Sequence, residues 1–211
     1  MKSFMVLLLV SFLAVPSSSL WAASGSSYGG NYRNSEGLKS SSTSVTEQRA
    51  IAAYNKGLKQ RDKAWGYAER AKTKEDKAKQ KLEKKSQKAY AKAITEFKKA
   101  VKHNPEMYQA YSSLGFALRK TGALQESLLA YEKSLAINPD YYEAIEYLAE
   151  TRMQLHEFAH VRLAYSRLAN EHPEYARQLI TAIGEWLPQQ RAQEISGLSE
   201  FSDWYKTVNN S

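Results

Sequence analysis

The stretch "MYQAYSSLGFALRKTGALQESLLAYEKSLAINPDY" (residues 107–141) decides how the chain folds. Tyr111, Leu114 and Leu118 recur at helical spacing and form one apolar stripe. Leu124, Leu128, Tyr131 and Leu135 form a second. Gly122 stands between them, where the chain needs a residue that accepts the left-handed conformation. Gly115 has no side chain and lets the second helix approach the first. Pro139 cannot continue a helix and pushes its predecessor out of the helical region. The stretch predicts a helical hairpin closed by a proline.

The pattern recurs. Pro105, Pro139 and Pro173 are each 34 residues apart, and each follows an aromatic by eight residues: Phe97, Tyr131 and Tyr165. A fixed period of this length marks stacked helix-turn-helix units. The quoted stretch resembles the tetratricopeptide repeat family. Tyr111 stands where that family usually has Trp, Leu114-Gly115 matches its Leu-Gly pair, Ser127 replaces its Ala, and Tyr131 and Pro139 match its aromatic and its closing proline. The resemblance implies an all-α, helical-hairpin solenoid. Its full repeats are residues 108–141 and 142–175. The second keeps Ile145, Leu148, Ala149, Phe158, Tyr165 and Leu168, and departs at Arg152, where an aromatic is usual. Residues 176–188 carry Leu179, Ile183 and Trp186 on one face and read as a cap helix, the first helix of a further unit without a second. In residues 189–211, Phe201, Trp204, Tyr205 and Val208 predict a short amphipathic helix. It either folds back near Trp186 or binds a partner.

Such arrays need about three stacked units, so another is expected upstream. Residues 45–107 supply it as an extended hairpin. "YAKAITEFKKAVKHNP" (residues 90–105) reads as a second helix. Ser44 and Glu47 form a capping-box pattern for the first helix, in which Ile51, Tyr54, Leu58 and Trp65 follow at helical spacing. If Gly57 packs on Ala93, the gap is 36 residues where Gly115 and Ser127 are 12 apart, an excess of 24. Shared between antiparallel helices, the excess makes each overshoot by roughly 18 Å. The hairpin then folds near residue 75, where Thr73 offers an N-cap, with Ala71, Ala78 and Leu82 as a thin seam and Trp65 beside Leu82. The descending arm is "KTKEDKAKQKLEKKSQK" (residues 72–88), with lysine at eight of seventeen positions. A charged linker, or one continuous helix over residues 45–103, are the alternatives. The lack of Gly and Pro between Tyr67 and Asn104 favours helix.

The chain opens with Lys2 and a 12-residue apolar run from Phe4 to Val15, followed by small residues. Residues 1–24 therefore read as a secretory signal peptide, since a membrane-spanning helix needs about 20 apolar residues. Residues 25–44 are Gly/Ser-rich and read as a flexible linker. A periplasmic or secreted location is the expectation. There is no cysteine, so disulfides and cysteine-linked lipid are excluded. The net charge of +8 is uneven: residues 56–102 hold 17 Lys/Arg against 6 Asp/Glu, and residues 104–211 hold 9 against 14. For an exported chain this bipolarity points to anionic envelope surfaces or acidic proteins rather than nucleic acid.

His156 to His160 reads "HEFAH", the zinc-protease pattern H-E-x-x-H. The repeat register opposes that reading. It aligns His156 with Gly122, in the turn, and turns Phe158 to the core like Leu124. No third ligand follows, since Leu163 and Ser166 occupy the places of the longer motif. A zinc hydrolase is the least favoured function; no catalytic residue, metal ligand or cofactor is assigned.

The resemblance implies that the first helix of each unit lines a concave face that binds a protein or peptide. Gln109, Ser112, Phe116 and Arg119 fall on that face of one unit, and Glu143, Glu146 and Glu150 on that of the next. The three glutamates are either ordinary solvated residues or an acidic stripe for a basic segment. The expectation is an exported protein–protein interaction module or assembly scaffold of the cell envelope, not an integral membrane protein. The alternative is a surface-associated structural protein that holds anionic lipid or polysaccharide through Lys77, Lys81, Lys84 and Lys88.

Overall fold

The computed structural model describes residues 44–190 and 194–209. The expected signal segment, and all of the expected linker except Ser44, lie outside the described residues. The described chain is all-α: eight α-helices, and no strand among the described residues. They are α1 (Val45–Lys72), α2 (Asp76–His103), α3 (Tyr108–Lys120), α4 (Leu124–Ile137), α5 (Tyr142–Gln154), α6 (Phe158–Glu171), α7 (Pro173–Trp186) and α8 (Leu198–Asn209). Helices α1/α2, α3/α4 and α5/α6 are stacked hairpins, and α7 packs on α5 and α6. The result is a helical-hairpin solenoid with an extended first unit.

The 34-residue register is visible in local bonds. Asn104 Oδ1 accepts the Glu106 amide at 2.9 Å, and Asn138 Oδ1 accepts the Asp140 amide at 3.2 Å. Each closes the loop around its proline in the same way. Gly122 (φ 82°) and His156 (φ 62°) occupy the same hairpin turn one repeat apart. At Gly122 a Cβ would meet nothing within 4 Å, so backbone conformation, not space, selects glycine there. The third proline behaves differently. Pro173 is the first residue of α7, which therefore begins three residues before the expected cap segment. Proline suits that position because the first amides of a helix have no intrahelical partner.

Close approach is the second repeated device. A Cβ on Gly115 would lie 2.9 Å from the Tyr131 ring, and one on Gly57 would lie 2.5 Å from the Phe97 ring. These pairs are 16 and 40 residues apart, so the first hairpin carries the expected excess of 24. Each glycine faces the aromatic of its partner helix. Ser127 Oγ donates to the Gly115 carbonyl at 2.8 Å, which explains why a small polar residue serves where Ala is usual.

The excess residues form two continuous helices, so the arm is a helical hairpin rather than a linker or one long helix. Ser44 Oγ accepts the Glu47 amide at 3.2 Å and starts α1. Ser86 Oγ donates to the Ala64 carbonyl at 2.9 Å and ties the arm's two sides. Two details differ from the sequence reading. Thr73 is the C-cap of α1, and α2 starts from Glu75 without a side-chain cap. Ala78 is exposed, so the seam narrows to Ala71 and a half-buried Leu82. Trp65 packs on Phe116 of α3, with ring centroids 6.2 Å apart.

Helix α8 closes the far end. Phe201 is fully buried and stacks on Phe158 at 4.4 Å, and Phe158 meets Trp186 at 6.0 Å. Trp204 packs edge-on against Tyr165 at 5.4 Å. A Cβ on Gly184 would lie 2.5 Å from the Tyr205 hydroxyl. Helix α8 thus covers apolar surface of α6 and α7 that a further hairpin would otherwise cover.

Candidate functional site

The seven residues expected on the shared face of the first helices do come together, but most of them are covered. Ser112, Phe116, Arg119, Glu146 and Glu150 are buried; Gln109 and Glu143 are half-buried. They do not line an open groove. The reason lies in the neighbouring aromatics. The Phe116 ring touches Trp65, Tyr90 and Tyr147 at centroid distances of 6.2, 6.2 and 5.6 Å. Trp65 lies eight residues beyond Gly57; the same step from Gly115 reaches Ala123, beyond the end of α3. The overshoot of α1 therefore lays Trp65 across the next unit.

Beneath this aromatic cover sits a charged cluster. Arg119, only 5% exposed, is ion-paired with Glu150, which is 7% exposed. The Arg119 guanidinium also lies 5.6 Å from the Phe116 centroid and 5.5 Å from that of Tyr147. Burial opposes the charge on Arg119, but Glu150 more than restores it, so its pKa stands above the usual value. Glu146 is 3% exposed. Burial, with Glu150 beside it, holds its carboxyl well above the usual range, although Arg119 pulls the other way. Glu143 is also raised, first by burial; it accepts a hydrogen bond from the Tyr141 hydroxyl, which partly offsets that. The three glutamates are therefore neither fully solvated nor an open acidic stripe. Glu150 is paired with Arg119, and Glu146 is buried beside that pair.

The Arg119 side chain also interacts with the Tyr131 hydroxyl, and the Glu146 carboxyl with that of Glu150. Ser112 Oγ is buried without a hydrogen-bond partner. Buried polar groups are almost always paired, so the Ser112 hydroxyl is unused hydrogen-bonding capacity on this face.

Sequence reasoning missed Lys120. Its amine lies 5.6 Å from the Trp65 centroid and 5.4 Å from that of Phe116. Burial, then the nearby Arg119, push it down to about 8. Its carbonyl accepts the Gln87 side-chain amide at 3.0 Å, so α1, α2 and α3 meet at this residue. It also missed Arg61, 2% exposed and hydrogen-bonded to Asp62 at 2.8 Å. The one signal for Arg61 was its place four residues before Trp65, on the apolar face of α1.

On the arm, Lys77, Lys81, Lys84 and Lys88 are all exposed along α2. Their spacing of four, three and four residues puts them on one helix face. No ion pair among the described residues engages them.

The HEFAH segment does not lie on one helix. His156 sits in the left-handed turn before α6, with its ring 6.0 Å from Phe158 and 6.1 Å from Trp186. His160 lies on α6, its Nδ1 3.8 Å from Glu157. No cluster of three or more potential metal ligands occurs among the described residues. No described helix is long and apolar enough to cross a membrane.

No protein-family model matches the chain, and a search of curated proteins gives no match.

Proposed function

We propose that this chain is an exported tetratricopeptide-type interaction module, an assembly scaffold of the cell envelope without a catalytic role of its own. The hairpin stacking and the 34-residue register of prolines, aromatics and turn residues support the family reading. The observation that carries the functional reading is the shared face of α3 and α5. It combines half-buried Gln109 and Glu143 with the unpartnered Ser112 hydroxyl and the buried Arg119–Glu150 pair. A polar partner segment would engage Gln109 and Glu143, the accessible rim of the covered cluster.

A second reading is favoured by the free lysines of α2: the arm holds an anionic envelope component while the solenoid meets a protein. The test is chemical cross-linking of the tagged chain in envelope extracts, with the wild type beside Gln109→Ala/Glu143→Ala. A discrete protein that is cross-linked by wild type and lost in the variant supports the module. Identical cross-linking by both, or none by either, contradicts partner binding at this face.

A further inference from the structure

We infer that the first hairpin carries an extended binding track for a linear acidic polysaccharide. The inference rests on the reading of the arm as a contact surface, and it names the ligand class.

The four free lysines are one end of a longer line. Eighteen residues are five turns of an α-helix, so Thr95 lies at the same azimuth as Lys77, and Lys92 follows Lys88 by one turn. At 1.5 Å per residue, this line runs about 27 Å along α2. At its far end it becomes one wall of a shallow groove of about 250 Å³, lined by Lys56, Gln60, Lys92, Thr95 and Glu96. Lys56 and Gln60 belong to α1, so the groove lies between the two helices. By helical spacing the α1 wall continues through Lys63 to Arg70, both exposed. The acidic member, Glu96, is 2.6 Å from Lys99, and its charge is spent there. The hairpin face therefore carries two roughly parallel cationic lines, with the groove between them at the end near Lys56 and Lys92.

Three features select the occupant. The track is long and narrow, which suits a polymer rather than a single small anion. It is almost all lysine, a point charge that accepts the repeated charges of an acidic polymer in any orientation, without the fixed bidentate geometry of arginine. Gln60 and Thr95 place neutral hydrogen-bonding groups among the cations, as a hydroxyl-rich chain requires. A bilayer fits less well. Proteins that lie on membranes normally insert apolar side chains. The large exposed apolar residues among the described ones are Val45, Leu129 and Leu163, and none is on the arm. Single-stranded nucleic acid fits less well because its bases stack on exposed aromatic platforms. The aromatics of the arm, Trp65 and Tyr67, are turned to Phe116 and covered by Lys85.

The test uses the full chain and three probes at equal charge concentration: polygalacturonate, vesicles rich in anionic phospholipid, and single-stranded oligonucleotide. The track predicts saturable binding of polygalacturonate that weakens steeply with salt. Lys77→Gln/Lys81→Gln/Lys84→Gln/Lys88→Gln should weaken it about tenfold, since exposed charge contacts are individually small and act together. A variant of equal net charge away from the first hairpin, Lys133→Gln/Arg162→Gln/Arg177→Gln/Lys206→Gln, should bind like wild type; equal weakening there means that only net charge matters and overturns the track. The helical circular-dichroism signal confirms that both variants are folded. Tight binding of vesicles or oligonucleotide with none of polygalacturonate overturns the ligand class and leaves the arm a contact surface. No binding of any probe overturns both.

Discussion

Substituting the glycines tests the packing register. Gly115→Ala places a Cβ 2.9 Å from the Tyr131 ring, closer than real side chains come. Tyr131 is fully buried and Ser127 bonds the Gly115 carbonyl, so neither helix retreats freely. Overpacking of this kind costs about 1–3 kcal/mol. Exchanging glycine for alanine inside a helix returns about 1 kcal/mol. The net expectation is a loss of up to about 2 kcal/mol, and Gly115→Leu should lose more. Gly66→Ala is the internal control. It lies in the interior of α1 with nothing within 4 Å of its Cβ, so it keeps only the gain in helix propensity. In a protein of this size 1 kcal/mol moves Tm by about 2–4 °C. Thermal melts followed by circular dichroism should show Gly66→Ala at or above wild type and Gly115→Ala several degrees below. A Gly115→Ala protein as stable as Gly66→Ala would refute the glycine–aromatic register.

Removing Arg119 alone, as Arg119→Met, leaves Glu150 buried without its ion-pair partner and should cost about 3–5 kcal/mol in urea denaturation. Adding Glu150→Leu should recover most of that loss; no recovery would mean that the pair is not the cause. Lys120 predicts a rise of stability with pH. Its pKa falls from 10.5 unfolded to about 8 folded, so the folded state sheds a proton that the unfolded state keeps. The charged amine is a penalty below pH 8 and is relieved above it; Lys120→Met should abolish the rise between pH 8 and 10. Phe201→Ala removes the ring stacked on Phe158 and should cost about 3–5 kcal/mol. An unchanged midpoint would show that α8 does not close the array.

The fold was legible because its decisive residues act locally. Pro139, Gly122 and Tyr131 each have one physical job, and the 34-residue period repeats it. Even the arm could be sized from Gly57, because the glycine–aromatic spacing exceeds that of the next hairpin by the inserted length. The shared face was less legible. Helical spacing put Arg119, Glu146 and Glu150 on one side, but not the Trp65 and Tyr90 rings that cover that side. Burial there depends on contacts between hairpins 25 or more residues apart, such as Trp65 with Phe116, and no local pattern encodes them. The Thr73 cap failed for a similar reason. Thr73 opens a cap-like sequence, yet it closes α1, with its hydroxyl donating to the Arg70 carbonyl at 3.4 Å.

Amide hydrogen exchange across residues 76–103 tests most directly whether the lysine-rich segment is a folded, projecting arm. The hairpin predicts graded protection. It should be strongest at Ala89, Tyr90 and Ala93, which are buried; intermediate around Leu82; and weakest at Lys77 and Ala78 beside the exposed tip. Slow exchange at Ala89 and Tyr90, with measurable protection back to Leu82, is the expected result. Complete exchange within seconds over residues 78–89 would contradict the arm.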